Sequence, residues 1–124
     1  MKLAVVDDDD DVRTALARLL DAMGHEVTVF SSAEEFEAAP LLADCLIVDV
    51  RLPGQSGVDL RDKLRSSNAP LPIVFITGSV DRLDRDARTD GTPIVTNPFD
   101  FASLTAAMTD AITAARTAGN GHAV

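Results

Sequence analysis

Five consecutive aspartates, Asp7 to Asp11, follow directly on the apolar run Leu3-Ala4-Val5-Val6. A further aspartate, Asp49, ends the run Cys45-Leu46-Ile47-Val48 and precedes the stretch Val50-Arg51-Leu52-Pro53-Gly54-Gln55-Ser56-Gly57. Pro53 and Gly54 there form a tight turn and leave Asp49 at the rim of a rigid loop. Two more runs end in Thr77 and in Asn97-Pro98. Carboxylates brought within a few ångströms of one another repel, so one of them protonates or a cation settles among them. Hard oxygen donors with open positions suit Mg2+, which keeps several waters and needs few protein ligands. An acid at a strand end also has blander uses, as a helix N-cap or as an ion-pair partner.

The elements that must position these residues alternate between two kinds. Short β-branched runs at Leu3–Val6, Val27–Phe30, Cys45–Val50, Ile73–Thr77 and Pro93–Thr96 read as strands. In the first helix, Val12, Ala15, Leu16, Leu19, Leu20 and Met23 follow the spacing of one buried face, and Gly24 closes it as a left-handed cap. The second helix opens on a Ser32/Glu35 capping box and stops at Pro40. The third runs from about Gly57, with Val58, Leu60 and Leu64 inward, to the breaker cluster Ser66–Pro70. Between Asp81 and Asp90 alternating Asp and Arg form the solvated face of a short helix lined by Val80, Leu83 and Ala87. The last helix begins after the N-cap Asp100 and carries Leu104, Met108 and Ile112 inward. The folded domain is assigned to residues 1–118, and 119–124 to a frayed tail.

Continuous Val/Ile/Leu strands are buried on both sides, which indicates a parallel sheet with helices on each face. Five such units predict an α/β, flavodoxin-like doubly wound sheet in the order 2-1-3-4-5. Ligands then lie beyond the carboxyl ends of the first and third strands. That place gathers Asp7, Asp8, Asp49 and Thr77. The first helix must start near Asp10 or Asp11, so Asp9, Asp10 and Asp11 are read as caps that match the positive end of its dipole. Asp7 and Asp8, still at the strand end, are read as cation ligands.

The 124 residues suffice for one domain, and 46% of them are apolar, enough for a real core. Eleven basic against twenty acidic residues give a net charge of −9. Such a surface repels phosphate backbones and anionic lipid, so no nucleic-acid or membrane partner is expected. A cation or a basic protein patch is the natural counterpart. The lone Cys45 allows no internal disulfide and reads as a buried, inert thiol. No apolar stretch reaches the ~20 residues of a membrane span, and a soluble, cytoplasmic protein is expected. His25 and His122 read as surface residues in a turn and a tail.

Val5-Val6-Asp7-Asp8-Asp9, Ile47-Val48-Asp49-Val50-Arg51-Leu52-Pro53-Gly54-Gln55-Ser56-Gly57, Phe75-Ile76-Thr77-Gly78 and Asn97-Pro98-Phe99 stand in this order along nearly the whole chain. In order and spacing they resemble the motifs of response-regulator receiver domains of two-component systems. The second motif is highly specific; the others are weak alone. The resemblance implies that Asp49 is the nucleophile taking a phosphoryl group from a phosphohistidine to form an aspartyl phosphate. It implies Mg2+ held by Asp8, Asp49 and the backbone carbonyl of Arg51, with Asp7 acting mainly through water. Thr77 would hydrogen-bond the phosphoryl oxygen, and the peptide before Pro98 would be cis. The implied partners are a histidine kinase or histidine phosphotransfer protein and a downstream protein target. The domain would promote its own phosphorylation and dephosphorylation without being an enzyme for another substrate.

The match departs from the family at two positions. Asn97 stands where receiver domains carry a lysine that pairs with the phosphoryl group, and the only lysines are Lys2 and Lys63. Asn brings a hydrogen bond but no charge. Arg51, Arg82, Arg85 and Arg88 are the candidates to replace it. Ile94 stands at the switch position usually held by an aromatic, and the segment from Thr77 to Asn97 is shorter and more charged than usual. The resemblance places partner docking at Val12, Ala15, Pro98 and Phe99. Val12 and Ala15 also fit the core stripe, which leaves Phe99 the better interface candidate.

Two other functions compete. Asn97 motivates a pseudo-receiver that binds partners and is not productively phosphorylated. Asp8-x-Asp10-x-Val12 imitates the nucleophile motif of haloacid-dehalogenase-like phosphatases, but the lysine and later acidic motif of that family are absent.

Overall fold

Five strands, β1 (Lys2–Val6), β2 (Glu26–Phe30), β3 (Cys45–Asp49), β4 (Ile73–Thr77) and β5 (Ile94–Thr96), pair in parallel in the order β2-β1-β3-β4-β5. This is the doubly wound order that the apolar runs predict. The computed structural model describes residues 1–39, 43–66, 71–78, 91–96 and 99–121, with side chains described through residue 115 of the last helix. Its helices are α1 (Asp10–Ala22), α2 (Ala33–Ala38), α3 (Gly57–Arg65) and α4 (Phe101–Gly121). Pro40, Ser67–Pro70, the expected helix at Asp81–Asp90, Asn97, Pro98 and His122 lie outside the described residues.

The central strands are buried on both faces, with all five residues of β4 and Cys45 to Val48 of β3 buried. Successive side chains point to opposite faces of a strand, so the sheet divides the core into two layers. Ala4, Val6, Leu46, Val48 and Phe75 pack with Phe30, Phe36, Val58 and Leu60. Leu3, Val5, Ile47, Val74 and Ile76 pack with Leu16, Leu20, Leu104 and Met108. A fully buried side chain of this size contributes about 1.5–3 kcal/mol, so both layers hold the strand ends rigidly. Cys45 is fully buried, and burial pushes its thiol up to about 12, as an inert core thiol requires.

Local chemistry sets most helix boundaries. The Asp9 carboxylate accepts hydrogen bonds from Asp11 N and Val12 N and starts α1, and Gly24 at φ 90° ends it. Along α1, Leu16 and Leu20 are buried, and Val12, Leu19 and Met23 pack partly against the core. Ala15 is exposed, contrary to the stripe read from the sequence. It lies about 100° around the helix from Leu16, beyond the edge of the contact face.

At α2, Ser32 Oγ accepts from Glu35 N at 3.1 Å, but the Glu35 carboxylate accepts from Ser31 Oγ at 2.7 Å, so only half the expected capping box forms. The complete box is at α3, where Ser56 and Asp59 each accept the other's backbone N–H. At α4, the Asp100 carboxylate accepts from Ser103 N at 2.7 Å, and Leu104, Ala107, Met108 and Ala111 are buried. Ile112 is half-buried, and the helical backbone continues to Gly121, across residues assigned from sequence to the tail. Among the described residues no helix is long and apolar enough to cross a membrane.

Candidate functional site

The parallel register pairs Val6 of β1 with Val48 of β3, so the next residues, Asp7 and Asp49, leave the sheet side by side. One carboxylate oxygen from each of Asp7, Asp8 and Asp49 lies within 4.8 Å of the others. Asp7 is 3% exposed, Asp49 is half-buried and Asp8 is open to solvent. Asp9, by contrast, caps α1, and Asp10 pairs with Arg13.

Backbone contacts fix the two sides of the cluster. Asp7 N donates to Phe30 O at 3.1 Å and continues the β1–β2 ladder. Asp7 Oδ1 accepts from Asp9 N at 2.8 Å, and Asp7 O accepts from Arg13 Nη1 at 2.6 Å. On the other side, Asp49 Oδ1 accepts from Arg51 N at 2.9 Å. Val50 N donates to Ile76 O at 3.1 Å, and Gly57 N donates to Val50 O at 3.1 Å, closing the β3–α3 loop. Glu34 of α2 accepts from Gln55 N at 3.0 Å, and Lys63 of α3 donates to Gln55 Oε1 at 2.9 Å, so two helices brace that loop.

Burial raises the pKa of Asp49 to about 7, and the charge of Asp7 adds to the rise. Burial likewise raises Asp7, against the lowering effect of its hydrogen bonds from Asp9 N and with the Asp49 carboxyl. Two acids this close repel one another when both are ionised, and a proton or a cation between them relieves that repulsion. The oxygen donors, their spacing and their unrelieved charge fit a small hard divalent ion.

Thr77 is 6% exposed and ends β4 one residue beyond Ile76, the register partner of Asp49. Ile94 is half-buried, pairs with Phe75 and packs against the layer that includes Val50 and Leu52 of the β3–α3 loop. Of the expected docking residues, Val12 is half-buried and Ala15 exposed, and Pro98 is outside the described residues. Phe99 is not a free surface aromatic: it is half-buried and packs on the layer formed by Leu104 and Met108. The exposed aromatic is Phe101, at 51%.

Phe101 opens α4, one turn ahead of the buried Leu104. Arg13 and Arg61 escape a reading by motif, as does the backbone contact that Gly57 makes. Arg13 binds the Asp7 carbonyl. Gly57 packs on the Asp49 backbone. Arg61 is 5% exposed, its guanidinium 5.4 Å from the centre of the Phe75 ring.

Residues 3–109 match the family model of the response regulator receiver domain. This chain belongs to that family. The receiver domain is 37% identical over 124 residues to the transcriptional regulatory protein FixJ of Bradyrhizobium diazoefficiens, a match covering 97% of this chain and 60% of that relative. The chain therefore spans about three-fifths of the relative's length. Full-length FixJ from B. japonicum, as a solved structure, aligns with a TM-score of 0.79 at 33% identity, covering 98% of this chain and 62% of that one. The response regulator TrrA of Thermotoga maritima, solved with Mg2+-BeF, shares the fold with a TM-score of 0.77 at 24% identity over 89% of this chain and 97% of its own.

Proposed function

We propose that this receiver domain is phosphorylated on Asp49 by the phosphohistidine of a histidine kinase or histidine phosphotransfer protein, and signals by protein–protein contact. The observation that carries the reading is the convergence of Asp7, Asp8 and Asp49 within 4.8 Å at the ends of adjacent strands. Asp49 is the nucleophile: one of its oxygens bonds to phosphorus as the phosphorus–nitrogen bond of the donor breaks. It is the acid at the rim of the loop, with one oxygen already oriented by Arg51 N. Asp7, Asp8, Asp49 and the Arg51 carbonyl would hold Mg2+, which when bound supplies positive charge for the transferring group. Thr77, at the end of the next strand, donates its hydroxyl to a phosphoryl oxygen. The net charge of −9 opposes direct contact of these residues with nucleic acid and favours a basic protein surface.

The test is labelling by a small phosphodonor. Label should require Mg2+ and vanish in Asp49→Asn. Asn97 favours a second reading, a pseudo-receiver that binds partners without turnover. A phosphorylated form that persists for minutes would remove it.

A further inference from the structure

We propose that Arg13 is a positioning residue for the cation site, clamping the Asp7 carbonyl and thereby aiming the Asp8 carboxylate. The inference rests on the reading of Asp7, Asp8 and Asp49 as a Mg2+ site. The Asp7 carbonyl belongs to the peptide that joins Asp7 to Asp8, so holding its oxygen fixes the plane from which Asp8 projects. Arg13 Nη1 reaches that oxygen at 2.6 Å, a short charge-assisted bond. Asp7 is also held through its backbone N by Phe30 O and through its carboxylate by Asp9 N. Asp8 is exposed and lacks the packing that restrains Asp7, so the direction of its side chain depends on this peptide.

Arg13 is itself well placed for the task. Its backbone N donates to Asp9 O at 3.0 Å, its Nη2 pairs with the Asp10 carboxylate, and its side chain is only 16% exposed. One planar fork thus joins the strand end to the first turn of α1, a span that a lysine ammonium on its flexible stem would hold less firmly. The contact is with a carbonyl rather than a carboxylate of the cluster. Arg13 therefore orders the site while leaving its acidic oxygens to the cation. Groups that orient metal ligands in this way change affinity without touching the metal.

The experiment measures Mg2+ affinity of the full chain by NMR titration for wild type, Arg13→Met and Arg13→Lys, each also combined with Asp8→Asn. Arg13→Met should weaken Mg2+ binding about tenfold, with Arg13→Lys in between. In the Asp8→Asn background the same substitution should change affinity less than about twofold, because the effect passes through Asp8. A merely structural bond would lower the metal-free melting temperature alike in both backgrounds and leave the affinity unchanged; that result overturns the proposal. So does an equal loss of affinity with and without Asp8. If Arg13→Met does not fold, Arg13→Lys carries the same comparison. Failure of the wild type to bind Mg2+ would overturn the metal-site reading itself, an outcome distinct from wild-type binding that Arg13 does not affect.

Discussion

Gly57 and Asp49 are in backbone contact: a Cβ built on Gly57 would lie 2.2 Å from the Asp49 carbonyl oxygen and 3.1 Å from the Val50 α-carbon. Helix α3 can begin where it does only because residue 57 has no side chain. Neither obstructing atom belongs to a flexible side chain, so the strand end or the helix would have to move. Gly57→Ala should destabilise the domain by about 1–3 kcal/mol, the usual cost of overpacking. Because the displaced segment carries Asp49, labelling by a small phosphodonor should fall with it. Urea denaturation and labelling on the same variant check both; unchanged values for each would contradict the contact.

The Asp7–Asp49 pair sets a pH dependence whose sign follows from its raised pKa values. Asp49 moves from 3.8 when free to about 7 in the fold, so between those values the folded state binds more protons than the unfolded one. Stability from this pair is fully present below about 3.8 and is lost as pH rises through about 7. The metal-free domain should therefore lose about 1–3 kcal/mol between pH 5 and pH 8 from this source. Saturating Mg2+ should flatten the slope, and Asp49→Asn should be more stable than wild type at pH 8 with a chelator present. Urea midpoints at the two pH values decide the matter; a wild-type stability that rises with pH and owes nothing to Mg2+ would count against the coupled acids.

The strands and the acidic trio were legible in the sequence because each depends on local pattern, and the doubly wound topology supplied the strand order. Apolar runs marked the strands, and Asp7, Asp8 and Asp49 stood at their ends by a simple count. Asp9 was recognisable as a cap because α1 had to start nearby. What escaped depends on contacts between elements distant in sequence. Arg61 of α3 is buried with its guanidinium over Phe75 of β4, a contact that no local pattern marks. The reading of Glu35 failed for a local reason, since Ser31 offered its carboxylate a second donor.

Phe99 and Phe101 should separate by measurement. Phe99→Ala removes a side chain packed on the core and should cost about 1–3 kcal/mol. Phe101→Ala removes an exposed one and should leave stability within about 0.5 kcal/mol. If the first turn of α4 meets the phosphodonor protein, Phe101→Ala should slow transfer from that protein while small-phosphodonor labelling is unaffected. Equal stability losses in the two variants would mean that Phe101 is covered.

Thr77→Val tests the hydroxyl at the end of β4 without changing the shape of the strand. The residue is 6% exposed and adjoins the register partner of Asp49, so a valine of similar size keeps the packing. On the proposed function, what it removes is a donor to the developing phosphoryl charge. A hydrogen bond to a charged group contributes about 1.5–3 kcal/mol, so the labelling rate should fall about tenfold or more. Mg2+ affinity should stay near wild type, because Thr77 is not among the clustered carboxylates. A rate equal to wild type would confine Thr77 to ending a strand, whereas loss of rate together with loss of Mg2+ binding would point to a disturbed strand end rather than a missing donor.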